Sequence, residues 1–428
     1  MHRFVPFGAL LLSLVGFAPA LQATPVSRAL LRGMETDEAR LELRDEVLEA
    51  ELWKLRPLKV PPVYQREYGS TVEVSARESA GGLSVEFRIR SPAGSRASSR
   101  GAFRVERSAS DGSLVEIRIV TRDDPSCYLS IRPFGDRSIM DVYLLDPAEP
   151  VYRDVIVPAA FGELVVSSLE RIVGLTESKV DWAFVMGPPA RVEDQRVERL
   201  AVSIRAFLPA LRDAGDGAIS EEGRYVYISS LSAQPTPGGL NCSGFVKWVV
   251  DGLAYPLMGR NTSIPLAKRP LEDSRGNRLS DAMASLDPHF GLDWTRNLAA
   301  LLAEARGEPR RDPEYYDVRQ DSRVPYVEDL GFAVKDLEIL LYTLASDHPG
   351  SMYLASVNGI LDEDAAVRQH FHTLALLPYF GSNDLLRVAV FERTRESSVA
   401  SLVGRYANAH IHLVRIQAEG VFAPLQVP

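Results

Sequence analysis

Between residues 70 and 146 the apolar side chains fall at every second position. The segments TVEVSARE, LSVEFRIR, FRVERSA, SLVEIRIVT, CYLSIRP and SIMDVYLL alternate in this way and are separated by Gly, Ser and Asp turns. A period of two fits a strand with one buried face and does not fit a helix. The pattern predicts about six antiparallel strands in a β-rich, sandwich-like domain over residues 67–150, with AGSRASSRG (93–101) as a long hairpin loop. Upstream, TDEARLELRDEVLEAELWKL (36–55) changes period. Thr36 is placed to cap a helix, Asp37 and Glu38 fall in its first turn, and Leu41, Leu43, Val47, Leu48, Leu52 and Leu55 mark its apolar face. Pro57, Pro61 and Pro62 end it, so residues 24–66 read as an N-terminal helix and linker.

The chain opens on Met1-His2-Arg3, an apolar run from Phe4 to Phe17, and Ala18-Pro19-Ala20. A basic start, a short apolar stretch and a small-x-small site form a signal peptide, residues 1–20, with cleavage after Ala20 or Ala23. Fourteen residues rise only ~21 Å as a helix, too little for a bilayer core. The reading is a periplasmic or secreted protein without a transmembrane anchor. A length of 428 residues predicts two or three domains. With 48 basic against 57 acidic residues and a net charge of −9, a nucleic-acid partner is not expected. Two cysteines exclude a disulfide framework and an all-cysteine zinc site.

From about residue 152 helical and strand patterns mix, and residues 151–428 read as one α+β unit. FGELVVSSLERIVGL (161–175) looks helical and DWAFVMG (181–187) looks like a strand. Residues 192–214 form a long amphipathic helix that Pro209 kinks or ends. A strand RYVYISS (224–230), a loop SAQPTPGGL and a helix opening NCSGFVKWVVDGL follow. Residues 255–330 are rich in Pro, Arg, Asp and Gly, with one helix near 294–306. A helix at 334–345, strands at 352–357, 370–379 and 386–392, a helix at 398–406 and a strand at 410–416 close the chain.

Cys242 opens the helix that follows the Pro/Gly loop. A thiol on a first helical turn sits in partial positive potential, which favours the thiolate. Asn241 can cap that turn, while Ser243 and Gly244 are small enough for a carbonyl to approach the thiol and the free N–H groups. A cysteine can equally be a small buried hydrophobe. Tyr225 and Tyr227 share one strand face ahead of it, with Tyr227 the nearer.

NCSGFVKWV (241–249) resembles the Asp-Cys-Ser-Gly-Phe signature of the NlpC-type papain-like cell-wall cysteine peptidases, with Asn241 in place of the usual Asp. The resemblance covers about residues 220–260 and 350–417. It implies a cysteine that starts a helix packed on an antiparallel sheet and a histidine on the strand that follows. FHTLALLPYF supplies His372, 130 residues after the cysteine, so residues 255–345 become a large helical insertion that can act as lid or platform. What the resemblance implies is cysteine-dependent amide hydrolysis of peptidoglycan stem peptides, with no cofactor and no metal. Tyr227, Ser243 and Gly244 would line the substrate. Like the related CHAP amidases, the chain carries an acidic residue on the next strand. Glu392 shares a face with Leu386, Val388 and Val390 and can orient the imidazole. His410 and His412 are alternative third members.

Other readings stay open at this point. One is a catalytically degenerate module that binds wall fragments or a protein partner. Another is a zinc hydrolase, because His370/His372 and His410/His412 are two i, i+2 pairs on strands, with Glu392 as ligand or base. Cys127 can pair with Cys242 in an exported protein. His289 and His348 read as surface loop residues, and Asn261-Thr262-Ser263 matches a glycosylation sequon.

Overall fold

The alternating segments do become strands. The structure, a computed structural model, describes residues 28–56, 59–79, 81–90, 99–145, 149–271, 287–321, 323–328, 330–360 and 368–425. The signal-peptide segment and most of 93–101 lie outside them. Eight strands run in chain order as one antiparallel sheet: β1 (Val63–Gln65), β2 (Ser70–Ser79), β3 (Gly82–Ile89), β4 (Phe103–Ser108), β5 (Leu114–Val120), β6 (Tyr128–Phe134), β7 (Arg137–Tyr143) and β8 (Tyr152–Val157). The expected sandwich is therefore a single meander of eight strands rather than six. It reaches past residue 150, so residues 151–186 group with it. Val85, Phe87, Val105, Ile117 and Ile131 share a core with Phe161, Leu164, Ile172 and Trp182 from the helical turns after β8.

The helix expected over 36–55 is broken into Asp37–Glu42, a π turn Arg44–Leu48 and Leu52–Leu55. Buried polar anchors explain the break. The Arg107 guanidinium takes the freed carbonyls of Val47 and Ala50. Arg40 reaches the Val165 and Ser167 carbonyls, and Glu35 accepts from the N–H groups of Leu169 and Glu170 at 2.9 and 3.0 Å. The N-terminal segment is thus tied to helix α1 (Leu169–Thr176) and is no free linker. Residues 182–186 form a helical turn, not a strand, with Asp181 accepting from Phe184 N–H at its start. An all-apolar run of that length has no period to separate the two.

A second, seven-stranded antiparallel sheet follows. Its strands are β11 (Tyr326–Val327), β12 (Gly331–Ala333), β13 (Ser351–Ile360), β14 (Arg368–Phe380), β15 (Leu386–Glu392), β16 (Arg395–Ser397) and β17 (His410–Gln417), in the order β11-β12-β17-β13-β14-β15-β16. A small ribbon, β9 (Ala218–Ile219) and β10 (Tyr225–Val226), precedes it; β10 is shorter than the expected 224–230 strand because Ile228 and Ser229 turn onto Asp216. Helix α2 (Val192–Phe207) ends in a short 3₁₀ turn that contains Pro209.

Alternate strand residues face two layers. Leu354, Ala375, Phe391 and Val414 pack with α3 (Cys242–Met258) and α4 (Phe290–Ala305). Tyr353, Leu374, Val390 and Leu413 pack with α5 (Leu337–Asp347) and α6 (Val399–Tyr406). The described part of 255–345 thus supplies β11, β12, α4 and α5. It is woven into both faces and one edge of the sheet, where the sequence suggested an insertion acting as lid or platform.

Buried Lys247 fixes α3: its Nζ donates to Ile219 O at 2.9 Å and pairs with Asp251 at 2.6 Å, while Asp251 accepts from Thr262 N–H and Oγ1–H at 2.7 Å. Asn261 is buried and donates to Ser220 O, so the sequon is not available for a sugar. Among the described residues no helix is long and apolar enough to cross a membrane.

Candidate active site

Cys242 is the first residue of α3, and Asn241 caps it by accepting from Gly244 N–H at 2.8 Å. The N–H groups of Cys242 and Ser243 have no helical acceptor and remain at this end as donors. Gly244 is required by packing: a Cβ there would meet Gly217 O at 1.8 Å. Ser243 is buried as well, and its carbonyl accepts from Trp294 Nε1–H at 2.9 Å. These two residues set the helix into the core, and their small size leaves the backbone at this end open to a carbonyl only through its N–H groups. Tyr227 follows β10, half-buried, with its N–H donating to Ser232 O; among the described residues no hydrogen bond joins it to the thiol.

His372 and the backbone N–H of Thr373, both on β14, are the groups that act on the thiol. His372 Nε2–H donates to Glu392 Oε2 at 2.6 Å, which leaves Nδ1 as the ring nitrogen toward the sulfur. Both side chains are buried, Glu392 at 1% exposure. A two-residue turn ends β15 directly after Glu392, with Arg393 and Thr394 both at positive φ (45° and 64°). The other carboxylate oxygen of Glu392 accepts from Arg405 in the last turn of α6. Tyr406 stands beside His372 with ring centroids 5.8 Å apart. Arg393 binds Asp213 through both Nε and Nη2 (3.0 and 2.8 Å), and Asp213 bridges to Leu240 just ahead of the nucleophile. That clasp joins the Glu392 hairpin to the segment that carries Cys242.

The electrostatics follow from these contacts. Burial opposes ionisation of Cys242, but the hydrogen bond and positive charge of His372 and the Thr373 N–H outweigh it and bring the thiol from 9.0 down to about 7. Burial likewise disfavours a charged His372, yet the bonds to Cys242 and Glu392 raise it above its ordinary value. Glu392 is pulled down to about 2 against its burial by His372, Arg405 and Ser397. The directions of these shifts favour a thiolate beside an imidazolium, with the carboxylate charged.

The other histidines lie elsewhere. A β-bulge in β14 against Val357/Asn358 breaks the expected i, i+2 alignment, so His370 binds Ser356 Oγ at 2.9 Å while His372 binds Glu392. His412 lies on β17, on the far side of β13, with Nε2 3.4 Å from Asp317. His410 starts the same strand, half-buried, paired with Asn358. Neither reaches His372. His289 is drawn in from its loop and stacks on His370 at 6.3 Å, while His348 is exposed, as expected. Among the described residues no group of three metal-binding side chains is assembled. Cys127 is a free thiol in the first core, apart from Cys242, and burial pushes it up to about 11. Arg405 and Tyr406 had no motif to announce them; they reach the site because α6, capped by Ser398 directly after β16, ends beside Glu392 and His372. A crevice of about 1620 Å³ between the two units, lined by Tyr152, Asp181, Phe184, Arg323 and Lys335, contains none of the site residues.

Residues 32–184 match the family model described as Domain of unknown function (DUF8515). The match coincides with the first sheet and its helices and ends before Asn241. No curated protein and no solved structure matches the chain.

Proposed function

We propose that this chain is an exported cysteine-dependent amide hydrolase, similar to the NlpC-type papain-like enzymes, acting on the stem peptides of peptidoglycan. The observation that carries the reading is the convergence of Cys242, His372 and Glu392: His372 donates to Glu392 at 2.6 Å and acts on the thiol, which is brought down to about 7. A nucleophile, its base and an orienting carboxylate in contact are the minimal apparatus of acyl transfer. The packing of the α3 N-terminus against the antiparallel strand that bears the histidine, and the two first-turn N–H donors, also support it.

In the first step the Cys242 thiolate attacks the amide carbon, and the oxyanion is held by the N–H groups at the α3 N-terminus. The carbon–nitrogen bond breaks as His372 delivers its proton to the departing amine, leaving a thioester on Cys242. His372, now neutral, takes a proton from water as the hydroxide oxygen adds to the thioester. The carbon–sulfur bond then breaks, the acid leaves and the thiolate–imidazolium pair is restored. Digestion of purified peptidoglycan tests this, with products identified by mass spectrometry. New amine and carboxyl ends with the wild type and none with a folded Cys242→Ala variant are expected; identical digests from the two would overturn the reading.

A further inference from the structure

We propose that Arg405 is a positioning residue that shares Glu392 with His372 and thereby limits how tightly the carboxylate holds the imidazolium proton. The inference rests on the cysteine-hydrolase reading above and adds a residue to it. One Glu392 oxygen accepts from His372 Nε2–H and the other from Arg405 Nη2–H. A buried carboxylate facing only an imidazolium holds its proton strongly, which suits the resting pair but works against proton delivery to a leaving amine. A guanidinium on the opposite oxygen withdraws part of that charge and locks the carboxylate plane. Arg405 is itself steadied by donating to Ser401 O at 3.3 Å, within a helix capped by Ser398. Its side chain is 35% exposed, so it stands at the rim of the site.

The groups around the pair are few. His372 is faced by Cys242 from α3, Glu392 from β15 and Tyr406 from α6. Glu392 is faced by His372, Arg405 and Ser397 of β16. Cys242 is faced by His372 and Thr373, with Arg393 and Tyr406 nearby. Arg395, opposite Glu392 across the hairpin, is exposed. Arg405 is the cation bonded to the Glu392 oxygen that His372 does not use.

The test is the rate of Cys242 alkylation by iodoacetamide against pH, resolved from Cys127 by peptide mapping. The wild type should show a lower limb near 7, where the thiol ionises beside the imidazolium, and an upper limb where the imidazolium loses its proton. Arg405→Gln should raise the upper limb by about one pH unit and move the lower limb less, because the freed Glu392 charge acts first on its own partner. Arg405→Lys keeps the charge without the planar fork and should fall between the two. It also carries the test should Arg405→Gln fail to fold. Folded variants whose upper limb matches the wild type would overturn the role of Arg405 and leave the hydrolase reading standing. A wild type with a single limb near the ordinary thiol value would instead remove the thiolate–imidazolium pair, and the proposal with it.

Discussion

Two thiols in one chain titrate in opposite directions because of what touches them. Cys127 has burial that the Leu145 N–H and Arg122 do not offset and rises to about 11, whereas Cys242 has burial overridden by His372 and falls to about 7. Native protein at pH 7.5 should therefore label with iodoacetamide at Cys242 and not at Cys127, which peptide mapping reads directly. Removing the imidazole reverses the balance: His372→Ala should move the Cys242 midpoint up to or beyond the ordinary thiol value, since burial is then unopposed. Glu392→Gln keeps the shape but loses the charge that fixes the ring. It should slow acylation by on the order of a hundredfold, with substrate affinity unchanged, in single-turnover kinetics. The same carboxylate has a stability signature. Its folded value lies near 2, below the ordinary 4.5, so its stabilising contribution is complete above 4.5 and lost as pH falls through about 2. Urea unfolding of wild type and Glu392→Gln should differ at pH 7 and converge at pH 2.

At the scale of the elements, the site depends on how α3 enters the sheet. Gly244 lets the first turn lie against the Gly217–Ala218 backbone, and a methyl group there meets a carbonyl that has no rotamer to yield with. Gly244→Ala should cost on the order of 3 kcal/mol and displace the thiol from His372, lowering Tm and raising the alkylation midpoint together. The elements also explain what could be read from sequence. Cys242 was legible from its place on a capped first turn and Glu392 from one hairpin of period two, while His372 was reached through the resemblance to the NlpC-type peptidases, since no local rule brings it to a cysteine 130 residues away. Arg405 was not legible, because its place depends on α6 ending beside Glu392, a tertiary event that leaves no mark on spacing. The pairing of His370 with His372 failed for a different reason. A bulge adds one residue to β14 and cancels the i, i+2 rule at the point where it was applied. Helix against strand at 182–186, and one helix against three turns at 37–55, were decided by buried polar anchors to distant backbone.

In the whole molecule the two units share a core, and beside Ala345 and Phe380 a residue that joins them is Tyr342. It belongs to α5 of the second unit, yet its ring packs edge-on to Phe184 at 4.9 Å and beneath the Arg122 guanidinium at 5.0 Å. Its hydroxyl donates to Phe184 O at 2.5 Å. Arg323 reinforces the joint by lying over the Phe184 ring and pairing with Asp181 at 3.0 Å. A shared core of this kind predicts one cooperative calorimetric transition for both units. Tyr342→Phe removes one buried hydrogen bond while the Phe184 carbonyl keeps the Gly187 N–H, at a cost of about 1 kcal/mol, so the midpoint should fall by a few degrees. No dyad residue touches Tyr342, so the alkylation profile of Cys242 should be unchanged in the folded variant. A profile that moves with the joint would mean that the first unit acts on the thiol through α5 and the sheet, and that the site belongs to the whole chain and not to its second unit alone.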